Sequence, residues 1–296
     1  MIVAVEHAVQ ADRKSRAARI SIASNAGLIA LKLVAGAVTG SIAIITEAVH
    51  SAIDLAASIV AYFSIRKAEE PADESHPYGH EKVENLAAAL EGVLILVGAG
   101  VIVFESARRL ADPPEVERLG FGIAVIGISV VVNLAVSTYL SRRAQQTHSP
   151  ALEGDAAHLR TDAATSMAVL AGLAVVAITD VEALDPIVAL TVAAAIVWAG
   201  VRLITRSSRV LVDEALPGEE LRAVAEAVEQ SGAPEVAGFH KLRARRAGSR
   251  RYIDLHVQFR SGTTLERAHE VSHELQAEIR RRVHRADVLI HLEPEE

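Results

Sequence analysis

The feature that most constrains this chain is a series of six mainly apolar stretches between residues 19 and 205. A helix needs about 20 apolar residues to cross the hydrocarbon core of a bilayer. Half of all residues (51%) are hydrophobic, and they cluster in these stretches. The windows lie at 19–40, 43–65, 84–107, 119–141, 157–179 and 184–205. We therefore predict an all-α, six-helix transmembrane domain over residues 19–209, embedded in a lipid bilayer.

The distribution of basic residues predicts how these helices are oriented. Lys and Arg are enriched in cytoplasmic loops, and the links at 40–42 and 180–185 contain neither. The opposite ends are flanked by Arg13, Lys14, Arg16, Arg19, Arg66, Lys67, Lys82, Arg142, Arg143, Arg206 and Arg209. We therefore expect a multi-pass inner (plasma) membrane protein with both termini in the cytoplasm. Residues 1–18 lack the apolar run of a signal peptide and are interpreted as a cytoplasmic N-terminal segment.

The pattern changes after Arg209, where hydropathy falls. A helix fits 218–231, strands fit 235–246 and 251–260, a second helix fits 264–283, and a last strand fits 287–292. Alternation in RYIDLHVQF and the short apolar run DVLIHL support the strands. Residues 210–296 are therefore predicted to form a small cytoplasmic α/β domain of α-β-β-α-β, ferredoxin-like order.

Two of the apolar windows carry the same pair of polar residues, His50 with Asp54 and His158 with Asp162. A spacing of four places both members on one helix face. Two such helices packed together would present two imidazoles and two carboxylates to one point. A charged side chain in a bilayer costs roughly 3 kcal/mol, which favours a compensating cation. The alternative is that each pair makes only interhelical hydrogen bonds.

The fifth helix is predicted to begin before its apolar window. Ser149 and Pro150 form a typical N-cap followed by proline at the first helical position. The helix would then run for about 30 residues from this cap, the length that crosses the bilayer with some excess. On this interpretation Glu153, Asp155 and His158 line a water-filled inner vestibule.

Composition narrows the chemistry of any metal site. The chain has no cysteine, so His, Asp and Glu must supply the ligands, and these suit zinc-like divalent ions. The formal charge of −7 and the absence of a basic face with interleaved aromatic residues argue against nucleic-acid binding.

A second candidate metal site follows the second window. Asp73, His76 and His80 fall within eight residues, and Pro77 and Gly79 can form a turn that brings them together. The alternative interpretation is a polar turn without metal.

Taken in order along the chain, these features resemble the cation diffusion facilitator family. The resemblance is carried by the two His/Asp pairs, the segment PADESHPYGHEKVENLAA, the segment VDEALPGEE and the small C-terminal domain. It implies a homodimeric antiporter that exports divalent transition metals in exchange for protons. It assigns His50, Asp54, His158 and Asp162 to the transport site and Asp73, His76 and His80 to a loop site.

The resemblance also implies residues outside these two sites. Lys82 and Asp213 match a salt bridge at the dimer interface that links the two domains; the alternative is two solvated charges. The family's regulatory metal sites in the C-terminal domain correspond to His240, His256, His269, His291 and Glu293. Each of these histidines could equally be an ordinary surface or partly buried residue.

Zinc is the expected cargo and also the expected regulatory ligand. Some family members carry Asp where this chain has His50, and two imidazoles with two carboxylates suit tetrahedral zinc, and also cadmium. Cobalt and iron are further candidates. Because metal ligation needs neutral imidazole and ionised carboxylate, zinc must displace protons from the site, and this competition would couple the two fluxes.

Two other functions fit parts of the sequence. A passive divalent-metal channel or an importer could use the same ligands. The segment HEVSH, from His269 to His273, matches a zinc-peptidase motif, with Glu293 twenty residues further on. The small domain leaves no room for a substrate cleft, so we expect a transporter rather than an enzyme.

Overall fold

The structure is a computed structural model that describes residues 2–39, 42–111, 120–179, 181 and 184–295. The chain divides into two compact units, Met1–Ser208 and Arg209–Glu296. The helices of the first part are α1 Ile2–Thr39, α2 Ile42–Ala68, α3 Lys82–Ala111, α4 Gly120–Thr147, α5 Pro150–Thr179 and α6 Leu184–Leu211. The elements that follow are α7 Gly218–Glu229, β1 Val236–Ala247, β2 Arg250–Phe259, α8 Leu265–Arg282 and β3 Ala286–Pro294.

Four segments within the described residues are long and apolar enough to cross a membrane. They are Ala11–Ala35, Lys82–Arg108, Ile123–Thr147 and Pro186–Leu211. Helices α2 and α5, which carry the two His/Asp pairs, contain 27 and 30 residues but are not among these four. The N-terminal unit is thus a helical membrane domain with four candidate spans.

Helix α5 begins where its cap predicted. It starts at Pro150 and contains 30 residues. The Leu152 N–H donates to Ser149 Oγ over 3.4 Å, and the Glu153 N–H donates to the Ser149 carbonyl over 3.2 Å. Both contacts satisfy N–H groups that a helix start leaves without partners. The prediction of an early start for α5 is confirmed.

Small residues allow the helices of this unit to pack closely. One buried cluster joins α1, α2, α3, α4 and α5 through Ala17, Ala18, Ile65, Ala87, Leu140, Ala144, Ala151, Leu152, Ala156 and Leu159. Alanines make up more than half of it, which is typical of helix interfaces in membranes, where short side chains let backbones approach.

A buried lysine connects four segments at one end of the unit. Lys14 of α1 is only 1% exposed and donates to Glu69 Oε1 over 2.9 Å and to Glu84 Oε1 over 2.8 Å. The Ser149 hydroxyl donates to the other oxygen of Glu84. The end of the α2 segment, the start of α3 and the cap of α5 are therefore tied to α1 by one network. Buried charges persist only when paired in this way.

The C-terminal unit is a three-stranded sheet of order β1-β2-β3 with its helices packed on one face. Strand β2 is antiparallel to β1 and parallel to β3. Leu255 and Val257 of β2 join the core that contains Val271 and Leu275 of α8. Because successive strand residues point to opposite faces, His256 points away from the helices. The predicted α-β-β-α-β order is confirmed, with strand bounds that differ by one to two residues.

Candidate metal sites

Three of the four residues in the two predicted pairs meet between helices α2 and α5. Asp54, His158 and Asp162 each offer a ligand atom, and these atoms lie within 4.8 Å of one another. The His158 Nε2 atom is 3.1 Å from Asp54 Oδ1 and 3.8 Å from Asp162 Oδ2. The backbone of His50 lies in α2, but its side chain is outside the described residues.

This arrangement can act chemically in two ways. As it stands, Asp54 and His158 form an interhelical hydrogen bond, which is the simpler of the two interpretations. The second carboxylate, from Asp162, approaches the same imidazole nitrogen and turns the pair into a set of one nitrogen and two oxygen donors. Such donors suit zinc and related divalent ions. With Asp54 and His158 both buried, little water can compete for these ligands.

A further buried residue lies beside this cluster and was missed in the sequence. Glu91 of α3 is 1% exposed, and its Oε2 atom lies 3.7 Å from His158 Nδ1. It stands in the apolar run LEGVLILVG. A lone acid within a membrane helix is itself a signal of function, and that signal could have identified Glu91.

The expected water-filled vestibule is wrong for Asp155. Its side chain is fully buried and its Oδ1 atom accepts a hydrogen bond of 2.9 Å from the Ser58 hydroxyl. The Ser58 oxygen in turn accepts a hydrogen bond of 2.9 Å from Asn25 Nδ2. Glu153 pairs instead with Arg206. Close packing of α1, α2 and α5 thus excludes water from Asp155, where the sequence predicted a water-filled vestibule.

The loop between α2 and α3 brings Asp73, His76 and His80 together. The Asp73 carboxylate is 3.4 Å from His76 Nδ1 and 3.3 Å from His80 Nε2. A turn closes the loop, since the Gly79 N–H donates to the His76 carbonyl over 2.9 Å and Gly79 has a φ of 89°. The backbone N–H of His76 donates to Asp73, which lowers the pKa of this carboxyl and keeps it ionised.

A row of histidines crosses the sheet of the C-terminal unit on the face away from the helices. His240, His256 and His291 are register partners on β1, β2 and β3. Glu293 contacts two of them, with Oε1 2.6 Å from His256 Nδ1 and Oε2 2.7 Å from His240 Nε2. His291 Nε2 lies 3.6 Å from Glu293 Oε1. Hydrogen bonds from His256 and His240 lower the pKa of Glu293.

His269 is not brought to this row. It lies on α8, with its Nε2 atom 3.1 Å from His273 Nε2 one turn later. The sheet separates α8 from the face that carries His256. For the same reason Glu293 is directed away from HEVSH, so it does not complete a peptidase-type ligand set. Glu270 of that motif is paired with Arg267 over 3.1 Å.

The two residues of the expected interdomain salt bridge belong to different units. Lys82 is the first residue of α3. Asp213 accepts a hydrogen bond of 2.8 Å from Arg245 within the C-terminal unit. The pairing of Lys82 with Asp213 therefore stays a prediction.

Comparison with known proteins identifies both units. The family profile named Cation efflux transmembrane domain matches residues 18–212, and that named Cation efflux protein, cytoplasmic domain matches residues 216–295. An uncharacterized transporter of Synechocystis sp. is 34% identical over 278 residues, 93% of this chain and 88% of that protein. A solved chain named CzrB is 30% identical, covers 27% of this chain and 99% of its own length, and has a TM-score of 0.27.

Two further relatives are cation-efflux pumps named FieF. The protein of Klebsiella pneumoniae is 31% identical over 280 residues, which cover 95% of this chain and 92% of that protein. The protein of Pectobacterium atrosepticum is 31% identical over 267 residues, which cover 90% and 88%. The profiles, the relatives and the apolar helices agree on a membrane protein that moves metal cations. The chain belongs to the cation diffusion facilitator family of cation efflux transporters and is not an enzyme.

Proposed function

We propose that this protein is a proton-coupled antiporter that exports divalent transition metal ions, zinc first among them, from the cytoplasm. The observation that carries the proposal is the position of His158 Nε2 between two carboxylates, 3.1 Å from Asp54 and 3.8 Å from Asp162. A buried imidazole nitrogen that faces two carboxylates within a membrane helix bundle is costly unless a cation binds there.

Proton coupling follows from the donor atoms themselves. A metal ion needs the Nε2 lone pair of His158, which a proton occupies when this atom donates to Asp54. Metal and proton therefore compete for one atom, and binding of one releases the other.

The preference for zinc rests on the number and type of ligands. His50, four residues before Asp54, would add a second imidazole and complete a tetrahedral set of two nitrogen and two oxygen donors. Cadmium, cobalt and iron are alternative cargoes, because the same donor atoms bind them. Octahedral oxygen-preferring ions fit this set less well.

The remaining assignments extend the same proposal. All six helices α1 to α6 would cross the inner membrane with both termini in the cytoplasm, with domain bounds at 1–18, 19–209 and 210–296. The C-terminal unit would hold two copies together as a homodimer, with Lys82 and Asp213 paired at the interface. The Asp73 cluster would hold a loop metal, and His240, His256, His291 and Glu293 would hold regulatory zinc.

Zinc flux into proteoliposomes under an imposed pH gradient tests the function. The wild type should transport zinc at a rate that rises with the proton gradient, and Asp162→Ala should lose transport while it keeps its elution volume in gel filtration. Flux that does not depend on the gradient would instead indicate a passive channel. Full transport by folded Asp162→Ala would overturn the assignment of the cargo site.

A further inference from the structure

Glu91 has no role in the ligand set proposed above, yet it is one of the most deeply buried side chains in the protein. It is 1% exposed. Neither of its carboxylate oxygens has a hydrogen-bond partner among the described residues. Buried polar atoms nearly always have a hydrogen-bond partner. A buried carboxylate without one therefore points to a hydrogen bond that forms in another state of the protein.

The nearest polar atom that also lacks a partner belongs to His158. Its Nδ1 atom is buried without a hydrogen bond within the described part of the chain, and lies 3.7 Å from Glu91 Oε2. The other ring nitrogen, Nε2, faces Asp54 and Asp162. The two nitrogens of this imidazole are therefore divided between the cargo ligands on one side and Glu91 on the other.

This division matters because a neutral imidazole carries only one proton. In the hydrogen bond seen here, His158 donates to Asp54 from Nε2 if that atom is protonated. When both ring nitrogens are protonated, a metal ion that binds Nε2 releases the proton of that atom, and the ring keeps its single remaining proton at Nδ1. Metal-bound histidines generally donate this second N–H to a carboxylate or carbonyl group, which fixes the tautomer and the ring orientation. Glu91 is the carboxylate that faces Nδ1.

Helix packing holds Glu91 against this ring. Gly154 lies one turn before His158 on the same face of α5. A Cβ atom at Gly154 would come within 3.1 Å of Glu91 Cγ and 3.2 Å of Ala88 Cα. The missing side chain thus lets α3 approach α5 at the level of Glu91, and places the carboxylate beside the next turn, which carries His158.

We propose that Glu91 is a positioning residue for the transported metal, which accepts the Nδ1–H of His158 and so directs the Nε2 lone pair toward the ion between Asp54 and Asp162. The inference rests on the proposed function, since it assumes that His158 binds cargo. Closure of the 3.7 Å separation to hydrogen-bond distance accompanies metal binding. Glu91 acts through His158 and needs no contact with the ion itself.

Binding of Co²⁺ by the full-length protein in detergent tests this role. The visible absorption of Co²⁺ reports its ligand geometry, and His76→Ala with His256→Ala in every sample removes the other two clusters. Glu91→Met, which removes the acceptor, should weaken Co²⁺ binding about 10- to 100-fold. Glu91→Gln keeps an acceptor oxygen at the same reach and should bind close to the wild-type level. Glu91→Asp keeps the charge but retracts the carboxylate, and should bind weakly.

The Gln and Asp variants decide the outcome even if the Met variant does not fold. Strong binding by Glu91→Asp with weak binding by Glu91→Gln would mean that charge, and not the hydrogen bond to His158, is what matters. Unchanged binding in all three would also overturn the inference. Glu84→Gln is the matched control on the same helix: it should lower thermal stability, through lost contact with Lys14, and leave Co²⁺ affinity unchanged.

One more variant separates this inference from the proposed function. Asp162→Ala in the same background should lose the Co²⁺ absorption. If it does and the Glu91 variants bind normally, only the role of Glu91 is wrong. If Asp162→Ala binds Co²⁺ like the wild type, the cargo site itself is wrong, and the inference fails with it.

Discussion

His158 Nε2 lies 3.1 Å from Asp54 Oδ1, across the interface between α5 and α2. This contact can be a structural hydrogen bond or half of a cation site. The third member, Asp162, favours the cation site because a hydrogen bond between two helices does not need a second acid 3.8 Å from the same nitrogen. The two interpretations differ in what an uncharged substitution should do.

Asp54→Asn is expected to fold normally and to lose zinc transport. The amide oxygen can still accept the hydrogen bond from His158, so helix packing is retained, but a neutral amide is a weak ligand for a divalent ion. Proteoliposome flux and gel filtration measure the two properties. Asn85, a buried amide on α3, supplies the control. The variant Asn85→Ala, reconstituted into the same liposomes, should retain zinc flux. Wild-type flux in Asp54→Asn would favour the structural interpretation.

Lys14→Met is expected to lower the stability of the N-terminal unit by about 3–5 kcal/mol. The substitution leaves Glu69 and Glu84 without the ammonium group that lies 2.9 Å and 2.8 Å from them. Thermal unfolding in detergent measures the loss. Lys67→Met is the control, because its pair with Glu70 is exposed and contributes about 0–1 kcal/mol. Equal losses in both variants would contradict the importance of burial.

Zinc is expected to tighten the dimer through the histidine row of the sheet. His256→Ala should abolish this effect, because His256 and His240 share the carboxylate of Glu293. Analytical ultracentrifugation with and without zinc measures the dissociation constant of the dimer. His273→Ala, on the helix side of the sheet, should respond like the wild type. A dissociation constant that zinc does not change would argue against a regulatory site.

The C-terminal unit should lose one stabilising contact as the pH falls. Arg267 Nε donates to Glu235 Oε1 over 2.7 Å, and this hydrogen bond lowers the pKa of Glu235. The unfolded chain therefore binds this proton at a higher pH than the folded chain. The contact is fully present above the ordinary glutamate pKa of about 4.3 and is lost as the pH falls through the lowered value.

Hydrogen exchange at the start of α8 measures this contribution. Wild type should be better protected than Glu235→Gln near neutral pH, and the difference should shrink below about pH 4.3. Comparison at each pH removes the intrinsic change in exchange rate. A difference in protection that grew on acidification would contradict this prediction.

Local signals in the sequence were reliable, whereas signals that depend on packing were not. Ser149 and Pro150 predicted the start of α5 because a cap is made by neighbours along the chain. The vestibule failed at Asp155 because its seal comes from Ser58 on another helix. Glu91 was overlooked because its proposed role depends on His158, which is 67 residues away in the sequence. Close packing at Gly154 brings the two side chains together. His269 was grouped with the histidine row because helix and sheet faces cannot be assigned before the layers are known.

The network around Lys14 also limits how the helices can move. Ser149 begins α5 and is bonded to Glu84, which Lys14 links to α1. If α5 tilts to expose His158 to one side of the membrane and then the other, its capped end must either stay anchored as a hinge or detach from Glu84. In the first case α5 pivots about its capped end, close to the Lys14 ammonium group. In the second case each transport cycle must break and re-form a buried hydrogen bond between Ser149 and Glu84.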